Sequence, residues 1–309
     1  MTAPLLLLDS ASLYFRAFFG VPRSITAPDG TPVNAVRGFL DMIARLITDH
    51  APDGLVACWD DQWRPAFRVA ALPSYKAHRV AADGGEDVPE ELPAQVDIII
   101  EALAAVGICR LGAPDMEADD VIGTLVAREL DAGEPRPIRI VTGDRDLFQL
   151  VDDEADVAVL YPARGVSNLS HIDQAELAQR YGVTSGDQYA DLAILRGDPS
   201  DGIKGVPGVG EKSAAKLLSH FGDLDGIVAA VDDPSSQLTP TQRRRLAESL
   251  EYLAVAPKIV RVRRDAAVDQ RSDALPSGPA APQRLAELSA RWGLDSSVER
   301  LTAALADRA

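Results

Sequence analysis

The feature that most constrains the fold is an alternation of short apolar runs with helical patterns over roughly the first 180 residues. Five runs have the length and composition of buried strands, at residues 5–8, 55–59, 108–111, 138–141 and 157–161. The stretches between them repeat apolar side chains at a spacing near 3.6 residues, as amphipathic helices do, at 34–49, 92–106 and 117–131. Such alternation predicts an α/β fold, with a mostly parallel central sheet and helices on both faces.

The second part of the chain predicts a helical module without strands. From about residue 187 the sequence consists of helical patterns and turns, and it closes with two predicted helices at 284–292 and 296–306. We therefore expect two domains, one at 1–185 that carries the sheet and one at 186–309 that carries the helices.

Composition excludes a membrane-spanning protein. No apolar run approaches the roughly 18 residues that a membrane span needs. The opening MTAPLLLLDS lacks the basic region of a secretory signal. Cys58 and Cys109 each stand alone in an apolar segment, which is typical of reduced core thiols. We therefore expect a cytoplasmic protein with no membrane partner.

The distribution of charge says more about partners than its sum. A net charge of −16 argues against a nucleic-acid partner, because such proteins usually carry a basic footprint. The chain has only five lysines, however, and four of them lie in two short segments, 72–79 and 197–222; Arg243, Arg244 and Arg245 form a third positive locus. The basic residues are thus concentrated where an anionic ligand would be held.

Acidic residues follow three of the predicted strands at the point where each strand ends. Asp9 follows the first run, Asp60 follows the second, and Asp144 and Asp146 in the motif TGDRD follow the fourth. In open α/β sheets, ligands bind in the crevice beyond the carboxyl ends of the strands. The sequence therefore predicts that these acids meet at one edge of the sheet.

Another acidic group, in the motif MEADDV at 116–121, crowds Glu117, Asp119 and Asp120 into four residues. Two carboxylates about 4 Å apart repel by roughly 4 kcal/mol at an effective dielectric constant near 20, so these acids either face water or surround a positive partner. Glu117 and Asp120 share a face if the segment is helical. Helix capping and turn chemistry explain either motif taken alone.

The recurrence of acids at several strand ends favours a binding site over capping. Carboxylates without a matching histidine or cysteine cluster are the ligands that Mg²⁺ and Mn²⁺ prefer. Two such ions about 4 Å apart can hold the attacking and leaving oxygens of an in-line displacement at phosphorus.

The most specific motif is a glycine-rich hairpin, 205-GVPGVG-210, followed by an amphipathic helix. Gly208 and Gly210 leave the hairpin backbone unshielded, so its N–H groups and the next helix N-terminus can hold a phosphate. Lys212 and Lys216, one helical turn apart, extend that contact. This helix-hairpin-helix pattern predicts binding to a duplex backbone without reading of its sequence. A plain helical turn that needs glycines is the alternative.

Taken together, these motifs resemble the 5′ nuclease family, which comprises bacterial and phage flap endonucleases and the 5′ nuclease domain of bacterial DNA polymerase I. The resemblance covers most of the chain in the same order, through residues 7–19, 116–121, 142–146 and 187–218. It implies a PIN-like nuclease core with a helix-hairpin-helix module, in a stand-alone form.

The resemblance also implies the ligands of two or more Mg²⁺ or Mn²⁺ ions. The first five acids of the set would mainly serve one ion and the last four a second: Asp9, Asp60, Glu117, Asp119, Asp120, Asp144, Asp146, Asp198 and Asp201. A monovalent cation such as K⁺ is implied at the hairpin, where the DNA-binding residues would be Gly205, Gly208, Gly210, Lys212, Ser213 and Lys216.

Four further residues take roles only through the resemblance. In 72-LPSYKAHR-79, Lys76 and Arg79 match the family's basic pair near the scissile phosphate, and Tyr75 matches an aromatic on which the terminal base stacks. Arg16 matches a phosphate-contacting arginine. The implied activity is a divalent-metal-dependent phosphodiesterase, acting as a monomer on 5′ ends of branched or nicked duplex DNA in replication and repair. Flap endonuclease and 5′-3′ exonuclease cleavage would use metal-activated water, without a covalent intermediate.

The sequence departs from the family pattern in two places. The chain is one residue longer between 59-WDD-61 and Arg68, which leaves Asp61 as an alternative to Asp60. Within the arch-equivalent segment at 72–95, residues 80–92 are longer and more acidic than usual. Gly84, Gly85 and Pro89 disfavour the continuous helix of an ordinary arch there.

Two rival functions are weaker. An aspartyl-phosphate hydrolase also uses an aspartate after its first strand, but its second acid is absent because Ala11 stands two residues on. A non-catalytic reader of branched DNA would have lost several metal-site acids, and all nine positions are occupied.

Overall fold

The protein, described by a computed structural model over residues 2–163 and 165–307, is built around one six-stranded sheet. The strands are β1 (Leu5–Asp9), β2 (Gly54–Cys58), β3 (Cys109–Leu111), β4 (Ile138–Val141), β5 (Val157–Tyr161) and β6 (Ser170–Ile172). Their order is β3-β2-β1-β4-β5-β6, with β1 to β5 parallel and β6 antiparallel to β5. The predicted mostly parallel α/β sheet is confirmed.

One strand of the sheet, β6, is not among the predicted ones. It has three residues, of which Ser170 is half-buried and His171 is exposed, so its sequence contains no apolar run. It pairs only with β5, at the edge of the sheet.

Helices cover both faces of the sheet. They are α1 (Ser10–Gly20), α2 (Asn34–His50), α3 (Ala66–Ala71), α4 (Leu92–Val106), α5 (Ala118–Leu130), α6 (Gln174–Tyr181), α7 (Gly186–Arg196), α8 (Glu211–Phe221), α9 (Leu224–Asp232), α10 (Pro240–Glu248), α11 (Leu250–Val255), α12 (Pro257–Val260), α13 (Pro282–Trp292) and α14 (Asp295–Ala306). Short 3₁₀ turns span Ala77–Arg79, Asp146–Leu150, Val166–Asn168 and Pro199–Asp201.

Each central strand is buried on both faces because helices lie on both sides. Side chains alternate along a strand, so Leu5 and Leu7 of β1 enter one core while Leu6 and Leu8 enter the other. The first core continues through α5 into α7, α8 and α9. The second is closed by α2, α4, α13 and α14.

The last two helices pack against helices that cover the sheet rather than against the hairpin. α14 lies along α2, where Arg300 pairs with Asp41 at 2.8 Å, and α13 lies against α4. The domain division at 185/186 stays a prediction. Its outermost residues, 1 and 309, lie outside the described residues.

The register of the strands explains why their ends meet. Asp9, the last residue of β1, is level with Cys58, the last residue of β2, and Leu8 is level with Val141, the last residue of β4. The residues that follow these strands therefore emerge side by side at one edge of the sheet.

Residues 80–91 form turns and extended chain above that edge. The structure describes all of them, and none is in an α-helix. Val80 bridges to Glu86, and Gly84 adopts a φ of +88°, which favours glycine. Among the described residues, no helix is both long and apolar enough to cross a membrane.

Candidate active site

A cavity of about 470 Å³ opens at the carboxyl edge of the sheet. Six of the nine predicted metal-site acids line it: Asp9, Asp60, Glu117, Asp119, Asp144 and Asp198. Lys76 and Arg79, the predicted basic pair, also line it. The strands, α5, the 72–79 segment and the helical module thus each contribute side chains to one space.

Asp9 is fixed by hydrogen bonds to both of its carboxylate oxygens. As the N-cap of α1 it accepts the Ser12 N–H at 3.1 Å, and its other oxygen accepts the Thr142 hydroxyl at 2.6 Å. Burial raises the pKa of Asp9 to about 7; the Thr142 bond opposes this rise, and the nearby Asp60 carboxylate adds to it. Ionisation of Asp9 therefore costs free energy, and a bound cation would remove that cost.

Asp60 and Asp144 are held by backbone donors. Asp60 accepts the Ala118 N–H at the start of α5 at 2.7 Å, while Asp61 is exposed and lies outside the cavity lining. Asp144 accepts the Asp146 N–H at 2.9 Å. Burial raises the pKa of both Asp60 and Asp144, and neighbouring carboxylates add to each rise.

Glu117 is the most heavily bonded acid of the site. Its carboxylate accepts Arg68 at 2.6 Å and the Tyr75 hydroxyl at 2.8 Å, and it pairs with the Lys76 ammonium. Burial alone would lower the pKa of Lys76, but Glu117 and Asp201 outweigh burial and raise it. Lys76 is therefore a permanent positive charge among the acids.

Asp120 does not reach the cavity. It is fully buried and accepts two hydrogen bonds from Arg68, at 2.6 and 2.7 Å, and one from the Arg263 N–H at 2.9 Å. The structure places it behind the cavity, although the resemblance assigns it to the metal site.

Tyr75 is also turned inward. It is only 4% exposed and its hydroxyl bonds Glu117, so its ring is not presented for stacking on a terminal base. Phe15 of α1 lines the cavity instead, and it stacks at 6.5 Å on Phe19, which is 67% exposed. The four-residue spacing of these two phenylalanines, which places them on one face of a helix, was the sequence signal that could have identified this aromatic pair.

The helical module meets the 72–79 segment at the cavity. Asp198 accepts the Ser200 N–H at 2.8 Å. Asp201 lies outside the lining, where it pairs with Arg79 at 2.8 Å while its carbonyl accepts the Lys76 N–H at 2.9 Å. Both parts of the chain are therefore needed to form the site.

Two further predicted residues, Asp146 and Arg16, lie outside the cavity lining. Asp146 begins a 3₁₀ turn outside the lining, and burial and the neighbouring Asp144 raise its pKa well above the ordinary range. Arg16 of α1 lies beside Gly143, and its buried Nε has no hydrogen-bond partner among the described residues. An unsatisfied buried donor of this kind suits an anionic ligand.

The site holds more negative charge than its own cations neutralise. Within the described residues, none of these acids has an ion pair: Asp9, Asp60, Asp119, Asp144, Asp146 and Asp198. Burial and neighbouring carboxylates raise the pKa of Asp119 well above its usual range. Oxygen donors with unneutralised charge fit divalent cations of the Mg²⁺ type.

The oxygen donors fit divalent cations in chemistry and charge, but they do not form a preorganised coordination site. Among the described residues, no three acidic, histidine or cysteine side chains already enclose a point where one ion would sit. Lys76 meanwhile lies against Glu117. Side chains would therefore have to adjust when an ion binds.

The hairpin connects α7 to α8 on the outside of the module. Gly205 and Gly208 have φ of +66° and +72°, and Lys212 and Lys216 are exposed on α8. The Gly210 N–H is already bonded to Ser213 Oγ at 3.0 Å, so the backbone offers fewer free donors than the motif alone indicates.

The arginine-rich locus of α10 divides between two roles. Arg245 reaches the hairpin from α10 and donates to the Gly208 carbonyl at 3.2 Å, which adds a positive charge there. Arg243 instead bonds the Ala230 carbonyl at 2.9 Å and Ser236 Oγ at 2.8 Å, inside the module.

Several residues at or behind the cavity were not predicted from the sequence, and three of them bear on the chemistry of the site. Phe15 and Glu86 line it, the latter from the 80–92 segment, and Arg68 lies behind it. Arg68 appears in the sequence only as the end of a family spacing, and its role could not be predicted because its partners lie 49, 52 and 191 residues away along the chain.

Comparison with known families and proteins gives one consistent result. Two family models match the chain: a 5′-3′ exonuclease N-terminal resolvase-like domain over residues 4–182, and a 5′-3′ exonuclease C-terminal SAM fold over 184–283. A 5′-3′ exonuclease of Streptomyces coelicolor is 59% identical, with 97% of this chain and 99% of that protein covered. One of Mycobacterium tuberculosis is 51% identical, with 99% and 98% covered.

Solved structures share the fold at low identity. The phage T5 D15 protein, crystallised with metal ions, superposes with a TM-score of 0.64 at 17% identity, covering 99% of both chains. The catalytic core of Rad2 in complex with a DNA substrate gives 0.58 at 17% identity, covering 98% of this chain and 92% of that one.

Proposed function

We propose a substrate and a chemistry for this chain, which belongs to the 5′-3′ exonuclease family and is a nuclease. It would be a divalent-metal-dependent phosphodiesterase that cleaves the 5′ ends of branched or nicked duplex DNA, both as a flap endonuclease and as a 5′-3′ exonuclease. The observation that carries the proposal is the excess of unpaired carboxylates beside Lys76 and Arg79 in a single cavity.

The acids with free charge at or beside the cavity would hold the ions: Asp9, Asp60, Asp119, Asp144, Asp146 and Asp198. When bound, Mg²⁺ or Mn²⁺ would lower the pKa of water and offset charge on the phosphate. Glu117 would complete the set from the N-terminus of α5. For Asp120 and Asp201, whose carboxylates are paired with arginines, we propose a supporting place in the same site.

The basic side chains would bind and orient the scissile phosphate. Lys76 and Arg79 lie in the cavity lining, and Arg16 offers its buried Nε from α1. Phe15 and the exposed Phe19 would stack on unpaired bases at the strand end. Within the described residues the cavity lining includes Ser12 and Ser200 but no cysteine and no histidine that could activate a serine, which supports hydrolysis without a covalent intermediate.

The helix-hairpin-helix module would hold the duplex by its phosphates. The exposed Lys212 and Lys216, the Gly208–Gly210 backbone and Arg245 together form a positive surface on an otherwise acidic protein. A monovalent cation such as K⁺ is proposed at the same hairpin. The solved neighbours include a phage T5 D15 flap endonuclease complex with DNA and metal ions, which supports DNA as the substrate.

The test is cleavage of a 5′-labelled flap duplex with Mg²⁺, with Mn²⁺, or with chelator. We expect cutting near the branch only when a divalent ion is present. Tight binding of the flap without cutting under any metal condition would overturn the proposal and favour a non-catalytic reader of branched DNA.

A further inference from the structure

Arg68 is the largest fully buried side chain in the described part of the chain, and it lies directly behind the cavity. It comes from α3, and every nitrogen of its guanidinium is hydrogen-bonded. Nε donates to the Ile259 carbonyl at 2.9 Å, one terminal nitrogen to Glu117 and Asp120 at 2.6 Å each, and the other to Asp120 at 2.7 Å. An arginine with this many fixed bonds has one position.

Through these bonds Arg68 determines where Glu117 points. Arg68 takes one carboxylate oxygen of Glu117, and Lys76 takes the other on the cavity side. The Tyr75 hydroxyl bonds the same carboxylate at 2.8 Å. Removing Arg68 would leave Glu117 held by Lys76 and Tyr75 alone, both of which come from a single turn of chain.

Asp120 balances the guanidinium and ties it to the helical module. Its Oδ1 accepts Arg68 and also the Arg263 N–H at 2.9 Å. Ile259 and Arg263 lie after the hairpin within the helical module, so the same network joins α3, α5 and that module. This arrangement accounts for a buried acid that faces away from the cavity.

We propose that Arg68, paired with Asp120, is a positioning residue for the nuclease reaction. It holds the Glu117 carboxylate so that one oxygen faces the cavity and fixes Lys76 there. This inference rests on the proposed function, because it takes the cavity to be the active site. A guanidinium is needed because only its planar fork bonds two carboxylates and a carbonyl at once.

A second arginine, Arg136, is also hydrogen-bonded to a side chain of α5 and provides a matched control. Arg136 bonds Glu129 near the C-terminal end of α5 at 2.6 and 2.9 Å, and it bonds Asp273 at 2.7 Å. Like Arg68 it joins α5 to a later segment of the chain, but neither of its partners lines the cavity. Losing Arg136 should therefore lower stability without changing the reaction.

The experiment compares Arg68→Lys, Arg68→Ala and Arg136→Met in thermal unfolding and in kcat and KM on the flap duplex. We expect the Arg68 variants to lose about 100-fold in kcat, as misplaced catalytic groups do, with little change in KM. Added guanidinium should partly restore Arg68→Ala. Arg136→Met should keep its kcat despite a lower Tm.

A wild-type kcat in Arg68→Lys, with a Tm loss like that of Arg136→Met, would overturn the inference while the proposed function stands. Failure of the wild type to cleave would instead remove the proposed function. If the Arg68 variants do not fold, Asp120→Asn provides the test, because it weakens the hold on Arg68 and keeps the Arg68–Glu117 bond. It should lower kcat in the same direction, and an unchanged kcat would also overturn the inference.

Discussion

Under the proposed function, the acidic cavity and the glycine hairpin would bind phosphate in opposite ways. The cavity is lined by side chains from separate segments of the chain, several of them buried, with more charge than its own cations neutralise. The hairpin is one continuous stretch in which Gly208 and Gly210 are exposed, and it offers backbone and, from α8, two exposed lysines. The first arrangement suits a reaction at one phosphodiester bond. The second suits binding to a duplex backbone regardless of its base sequence.

Breaking the cavity should have the largest effect. Asp144→Asn removes an unpaired charge from the lining, and Asp201→Asn removes the partner of Arg79. We expect each to reduce cleavage by about 1,000-fold or more, roughly 4 kcal/mol in activation free energy, while the fold survives. Flap cleavage with Mg²⁺ measures this. Asp61→Asn is the control, because Asp61 is exposed and outside the lining; substantial activity in Asp144→Asn would mean that the metal site is misassigned.

Breaking the hairpin should weaken binding rather than chemistry. Replacing Lys212 and Lys216 together by alanine removes two phosphate contacts, so the slope of log K against log salt should flatten by roughly 2 and affinity should fall about tenfold. Titration of a labelled duplex at several salt concentrations tests this. Lys258→Ala, which changes an exposed lysine of the same module away from the hairpin, is the control. An unchanged slope in the double variant would remove the hairpin from the contact.

Tyr75 tests whether a buried hydrogen bond to Glu117 supports the reaction in the cavity. If its hydroxyl matters for holding Glu117, Tyr75→Phe should lower kcat by about tenfold, as the loss of a supporting hydrogen bond does. An unchanged kcat in Tyr75→Phe would mean that this hydrogen bond does not hold Glu117 in place. Tyr252→Phe, which loses a hydrogen bond to the Ile194 carbonyl within the helical module and away from the cavity, is the control for stability.

The charge of the cavity should appear as a pH dependence of stability. Asp9 has a pKa of about 7 in the folded chain against an ordinary 3.8, so the folded state binds its proton more tightly than the unfolded state. Stability of the metal-free protein should therefore be greatest below pH 4 with respect to this group and fall as pH rises towards 7. Asp119 and Asp146 shift in the same direction.

Divalent ions should reverse this loss, because they compete with protons for the same oxygens. We expect Mg²⁺ or Mn²⁺ to raise Tm by several degrees at pH 8 and by little at pH 5. Asp9→Asn should flatten the metal-free profile. Equal stabilisation by the ions at both pH values would contradict the fit of the cavity to divalent cations.

The sequence predicted the sheet well because its central strands are buried runs that end in register. The acids after β1, β2 and β4 could be placed together from topology alone, and six of the nine predicted acids line the cavity. Strand β6 escaped because only Ile172 of its three residues is buried.

The directions of side chains were less predictable than their positions along the chain. Asp120 and Tyr75 belong to the predicted motifs, yet both side chains are buried. Asp120 bonds Arg68 directly, and Tyr75 bonds Glu117, which is itself a partner of Arg68. The role of Arg68 could not be predicted, because its bonds join residues up to 191 positions apart. Local periodicity carries no information about such long-range pairs.

The loop that brings Asp198 to the cavity continues directly into the hairpin. Gly205 packs so tightly on the backbone of Arg196 and Gly197 that a β-carbon there would lie 2.5 Å from it, and the Ile203 N–H bonds the Asp198 carbonyl at 2.8 Å. This stretch leaves little room for a flexible joint. Under the proposed function, this loop would fix the distance between the hairpin and the cavity. Its length would then set the number of nucleotides between the bound duplex and the cleaved bond.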